Sequence, residues 1–217
     1  MKKALLGFGG FLFVVTILQV LRYYTFNGDM YFPEQKETYL AHQFGLYLHI
    51  TGSTLAFILG PFQFFPKLRQ KRMQLHRNMG KLYMLGVLVG SSAGIYMAPF
   101  AYGGFPTTMG FLSLAVISLF VTGMALRRVK EKRIGLHKEW MVRSYACIFA
   151  AATLRLYLGT FTVLSETGTI DLELAPAYIA ISWMCWVPNL IVAEWIINRM
   201  RNQSDLSHVA ANSTSAA

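Results

Sequence analysis

Five histidines carry most of the chemical potential of this chain, and four of them lie in or beside apolar stretches: His42, His49, His76 and His137. The fifth, His208, sits in a polar tail. His76 and His137 follow one string, leucine-histidine-basic: Gln74-Leu75-His76-Arg77 and Gly135-Leu136-His137-Lys138. An axial haem pair needs two neutral imidazoles on neighbouring helices at equal depth. Arg77, Lys81, Lys138 or Arg143 would then neutralise the propionates. A plainer reading stays open, in which a histidine at a helix start among Lys and Arg is a cap or a headgroup contact. His42 and His49 are two helical turns apart, about 10 Å, so they cannot share one ion. His49 would need an axial partner on the fourth apolar stretch, which has no histidine and only Met109 near the right end. Arg155 is the costliest residue to account for. It falls deep in an apolar stretch and needs a carboxylate, carbonyls, a propionate, water or a route to the surface. Cys147 and Cys185 lie in apolar runs and read as small buried hydrophobes. No P-loop, nucleophile elbow, His-Glu-x-x-His or Cys-x-x-Cys is present.

The elements that must position these residues are six apolar stretches, at about 4–21, 39–65, 78–100, 109–126, 138–164 and 175–197. Each is close to the ~18 residues that cross a hydrocarbon core. The composition agrees: 54% of residues are hydrophobic, 14% are charged, and the mean hydropathy is +0.41. The net charge of +10 first suggests nucleic acid, but its placement points elsewhere. Lys2 and Lys3, the run Lys67 to Arg77, the run Arg127 to Lys138, and Arg199 with Arg201 all fall on one side of the six stretches. Asp29, Glu34, Glu37, Glu166, Asp171 and Glu173 fall on the other. This is the positive-inside pattern. The chain is therefore expected to be an all-α integral membrane protein, a six-transmembrane-helix bundle with N and C termini cytoplasmic, in a cell membrane of the bacterial inner-membrane type. Its partner is the lipid bilayer and not nucleic acid. The first stretch reads as a retained signal-anchor helix. Residues 201–217 are polar and read as a disordered cytoplasmic tail.

Ionisable groups in lipid turn toward protein or water. Helical periodicity collects them on three stripes: His42, Gly45, His49, Ser53, Ala56, Gly60 and Gln63; His76, Gly80, Tyr83, Val87, Gly90 and Gly94; His137, Met141, Ser144, Ile148, Ala151 and Arg155. Small residues let helices approach closely, and they also leave room for a flat cofactor. Both readings predict these stripes. Two polar layers follow: His76, His137, Gln63 and Arg143 toward the basic side, and His42, His49 and Arg155 toward the acidic side. The second-third and fourth-fifth stretches also echo one another at an offset of 61 (137 − 76), which superposes Tyr96 on Tyr157.

Several strings resemble a bacterial predicted-membrane-protein family, domain of unknown function 2306. They are Gly60-Pro61-Phe62-Gln63-Phe64, His76-Arg77-x-x-Gly80-x-x-Tyr83, His137-Lys138-x-Trp140-Met141-x-Arg143-Ser144-Tyr145-Ala146 and Ala151-x-x-Leu154-Arg155-Leu156-Tyr157. The resemblance covers about residues 40–165 and implies no activity. More distantly, the histidine layout is similar to the two-haem transmembrane cytochrome b superfamily, whose four central helices bind haem through histidine pairs. That resemblance implies haem b on His76 and His137; the residues themselves add His49, Arg155 and Arg143 as further candidate cofactor-binding residues. It implies a membrane oxidoreductase or haem-handling protein with a redox partner or partner subunit. A second haem lacks a histidine opposite His49. The alternative is a non-catalytic membrane subunit or small-solute permease without a cofactor.

Overall fold

The computed structural model describes the backbone of residues 2–215 and the side chains of residues 7–203. Among the described residues there is helix and no strand. Helices α1 (Lys2–Leu21), α3 (Gln43–Gln63), α5 (Met73–Met97) and α6 (Phe105–Lys130) supply the first four spans. The fifth is built from α7 (Ile134–Ile148) and α8 (Ala150–Glu166), the sixth from α9 (Leu174–Met184) and α10 (Val187–Ser215). Two short helices, α2 (Lys36–Ala41) and α4 (Pro66–Lys71), lie in the connections at opposite ends. All six spans are long and apolar enough to cross a membrane.

The expected stripes face inward. Ala56, Tyr83 and Ser144 are fully buried, and Gly45, Gly60, Gln63, Val87, Gly90, Met141 and Ile148 are buried with them. The large side chains Phe11, Leu18, Leu88, Phe120 and Ile191 stay exposed on the outer surface, where lipid covers them. The closest packing is between α3 and α5. A Cβ on Gly90 would come within 2.6 Å of the Ser53 amide nitrogen, and one on Gly86 within 2.8 Å of the Gly52 carbonyl. Backbone lies against backbone here, so neither position has room for a side chain.

A buried hydroxyl node joins three helices at the centre. Ser144 Oγ lies 2.7 Å from the Tyr83 hydroxyl and 2.6 Å from Thr122 Oγ1. Tyr83 and Ser144 are 61 positions apart, so the offset seen in the sequence here becomes a contact. Such bonds between membrane helices contribute about 0.6 kcal/mol on average. Tyr83→Phe should therefore lower the thermal midpoint in detergent by only a few degrees. Combining it with Ser144→Ala should cost less than the two single changes added. Strict additivity would show that the two side chains do not act as a pair.

The fifth and sixth spans are both interrupted. Pro188 has no N–H for the Met184 carbonyl and its ring crowds that turn, so the sixth span breaks at Cys185 and Trp186. The fifth breaks at Phe149, whose carbonyl takes both the Ala152 and the Thr153 amide. At the end of the chain the α10 backbone continues through Ser215. Extending an existing helix avoids the cost of nucleating a new one.

Candidate functional site

The end of the bundle that carries the basic loops is called the basic end below, and the opposite one the acidic end. A cavity of about 450 Å³ lies in the acidic half. All six spans contribute to it, and Gln35 and Tyr39 cover it from the connection after α1. Its apolar wall includes Leu46, Ile50, Phe57, Leu154 and Leu158. Its polar groups are cationic or neutral: Arg22, His49, Ser53, Ser91, Arg155 and Tyr178 among them. Among the described residues no Asp or Glu lines it.

Arg155 follows the broken turn of the fifth span and is half-buried. Its Nη1 donates to the Ala151 carbonyl at 2.7 Å, within its own helix. Among the described residues no carboxylate pairs with it. Arg22 and the phenols of Tyr23, Tyr39 and Tyr178 lie within electrostatic reach. Burial pushes the Tyr39 phenol well above its ordinary range, so that ring stays neutral and does not supply the missing negative charge. Two guanidinium groups therefore share one cavity wall with no internal counter-ion.

His49 faces the same cavity. Its Nδ1 lies 2.8 Å from the Gly90 carbonyl, which can only accept, so Nδ1 carries the proton. In the neutral ring Nε2 is left as a lone pair without a protein partner. The ring fits because the residue at 94 is glycine, where a Cβ would sit 3.1 Å from Nδ1. Of the expected acidic-side layer, His49 and Arg155 line the cavity and His42 does not. His42 is held by the Tyr96 hydroxyl at 2.7 Å and stacks on Phe100 at 3.9 Å, outside the cavity wall.

At the basic end, His137 lies within electrostatic reach of His76. His137 Nδ1 donates to the Ala125 carbonyl at 2.9 Å, which leaves its Nε2 as a lone pair. His76 Nδ1 and Gln63 Nε2 are buried with no hydrogen-bond partner. The acidic-half cavity does not extend to any of these three residues. Arg143 is engaged elsewhere. It forms a bidentate pair with Glu194, at 2.6 and 2.9 Å, and stacks over Trp140. Glu139, which is buried, takes a bidentate pair from Arg201. The sequence places Arg143 as a propionate partner. The structure gives it two carboxylates instead, because the register of α10 brings Glu194 to it. Among the described residues no three His, Cys, Asp or Glu side chains converge as a metal site. An axial haem pair needs only two.

Behind the cavity, the two interrupted spans are bridged. Asn189 Nδ2 donates to the Cys185 carbonyl at 2.9 Å, to Thr153 Oγ1 at 3.0 Å and to the Ala146 carbonyl at 3.2 Å. Thr153 Oγ1 also donates to the Cys185 carbonyl. Backbone groups freed by the breaks are thereby satisfied away from lipid. Asn189→Leu should destabilise the protein by about 1–3 kcal/mol, the cost of stranding such groups. Thermal unfolding in detergent would show it, and an unchanged midpoint would remove the bridge from the account.

Arg22, Tyr39 and Tyr178 are site residues that periodicity does not reveal. One signal was available: Arg22 is an arginine on the side where acidic residues otherwise dominate.

Residues 46–197 match the model of a family described as Predicted membrane protein (DUF2306). No curated protein and no solved structure matches the chain.

Proposed function

Because the chain belongs to this family of predicted membrane proteins, whose description carries no activity, we propose its function from the cavity: it binds a small anionic, partly apolar molecule inside the membrane. One observation carries this reading. Arg155 sits in a cavity of about 450 Å³ among groups that offer it no negative charge. A charged side chain in a membrane costs several kcal/mol and persists where something compensates it. A cavity of this size suits a small ligand. By the positive-inside rule the basic end is cytoplasmic, with both termini, and the cavity opens in the opposite half of a bacterial cell membrane. The test is to purify the protein in mild detergent and identify what leaves with it by native mass spectrometry. An anionic compound should co-purify with the wild type and be lost from Arg155→Gln. The same bound species in both proteins would contradict the reading.

A second reading rests on the pairing of His76 with His137. A b-type haem would be held by these two imidazoles. The Ala125 carbonyl keeps His137 Nε2 free to ligate. Haem would supply one-electron redox chemistry. The residues fit it as ligands but not as a full pocket, since Arg143 is already paired and the cavity lies in the other half. A reduced-minus-oxidised spectrum from haem-replete cells decides it. A Soret band and α-band lost in both His76→Ala and His137→Ala would favour haem, and colourless protein would reject it.

A further inference from the structure

We propose that the cavity is selective for a monohydrogen-phosphate head, carried on an amphiphile that enters sideways from the lipid. This rests on the binding reading above and narrows it to a substrate class.

The two groups that meet at the cavity make opposite demands. Arg155 offers N–H donors beyond the one used on Ala151, so it asks for anionic oxygen. His49 spends its proton on the Gly90 carbonyl and presents a lone pair, so it asks for a donor. Both side chains line the same cavity, where one head group is offered to both. A carboxylate or a sulfate ester brings acceptors only. A phosphate diester likewise has no P–OH. A phosphate monoester with one proton brings an O–H and anionic oxygens together, and its second pKa near 6 keeps that form populated close to neutrality. Arg22 on the same wall would take the second charge when the proton leaves.

The route for a hydrocarbon tail is also present. Gly159 and Thr162 line the cavity yet are exposed at the surface of α8, beside α1. A Cβ at Gly159 would meet nothing within 4 Å, so no protein packs over this glycine. Leu154, Leu158 and Ile50 continue the apolar surface inward. A tail can leave past Gly159 while the head stays on Arg155 and His49.

The full chain in detergent is titrated by native mass spectrometry with dioleoyl phosphatidic acid, with the phosphatidylmethanol of the same chains, and with inorganic phosphate. The two lipids differ by one methyl group that removes the P–OH. Phosphatidic acid should bind about 10-fold tighter than phosphatidylmethanol, the usual worth of a hydrogen bond to a charged group. His49→Ala should erase that gap. Arg155→Gln, or Arg155→Lys if the first does not fold, should weaken both lipids. Inorganic phosphate should bind more weakly than phosphatidic acid. Equal binding of the two would overturn the lipid source and leave free phosphate as the ligand. Equal affinity for the two lipids, both still dependent on Arg155, would overturn the phosphate-monoester proposal and leave the anion-binding reading intact. Indifference to Arg155 with every probe would overturn both.

Discussion

Arg155→Met should raise the thermal midpoint of the ligand-free protein and abolish the stabilisation that a bound anion confers. The two effects have opposite sign because the guanidinium is a cost to the empty fold and an asset to the complex. In the empty protein Arg155 reaches one carbonyl of its own helix and no carboxylate. A cation within a membrane helix is unfavourable by about 2.5–3.5 kcal/mol on insertion scales. Water in the cavity and the neighbouring phenols offset part of that, so about 1–2 kcal/mol of gain is expected on replacement. For a chain of this size that is roughly 2–8 °C. Ligand at 100 times its Kd stabilises the wild type by about 2.7 kcal/mol. A variant that binds about 100-fold more weakly keeps only about 0.4 kcal/mol at the same concentration. Thermal unfolding with and without an anionic amphiphile measures both terms. A variant less stable than wild type, with its ligand response intact, would make Arg155 a structural residue and not a binding one.

The second large effect is on packing. Gly90→Leu should prevent folding or cost at least about 3 kcal/mol. The added Cβ alone would come 2.6 Å from both the amide nitrogen and the hydroxyl oxygen of Ser53. One of these atoms is backbone and cannot swing aside, so α3 and α5 must separate. Gly86 and Gly52 meet in the same seam, and separation would open the whole contact. It would also pull the Gly90 carbonyl from His49, so the cavity wall fails with the helix pair. Gly123→Ala is the matched control. A Cβ there meets nothing within 4 Å, and replacing an exposed helical glycine should be neutral or stabilising by up to about 1 kcal/mol. Monodispersity in detergent and thermal midpoint report the difference. Similar behaviour of the two variants would remove close backbone approach as the basis of the α3–α5 contact.

Much of this architecture is legible in the sequence because membrane burial follows simple rules. Six spans follow from hydropathy. The inward stripes through Tyr83, Ala56 and Ser144 follow from helical spacing and the cost of polar groups in lipid. The unusual status of Arg155 follows from the same cost, since a deep arginine remote from Glu194 has no partner in reach.

The location of the usable space was not legible. Spacing favours His76 with His137, but the cavity gathers around His49. Its walls come from Arg22 at the end of one span, Gln35 and Tyr39 in a connection, and Tyr178 on α9. No periodicity relates residues on separate elements. The fate of Arg143 was hidden for the same reason, because only the register of α10 against α7 puts Glu194 beside it. Pro188 is visible as a helix breaker. That Asn189 and Thr153 would close the break depends on the two spans bringing these side chains together.

The most direct test of the central claim is an experimental structure of the full chain in lipid nanodiscs containing phosphatidic acid. The expected result is head-group density in the acidic-half cavity, with anionic oxygen within hydrogen-bond distance of the Arg155 guanidinium and a second oxygen on His49 Nε2. An Arg155 side chain turned out to the lipid surface, over a cavity closed by its own walls, would contradict it.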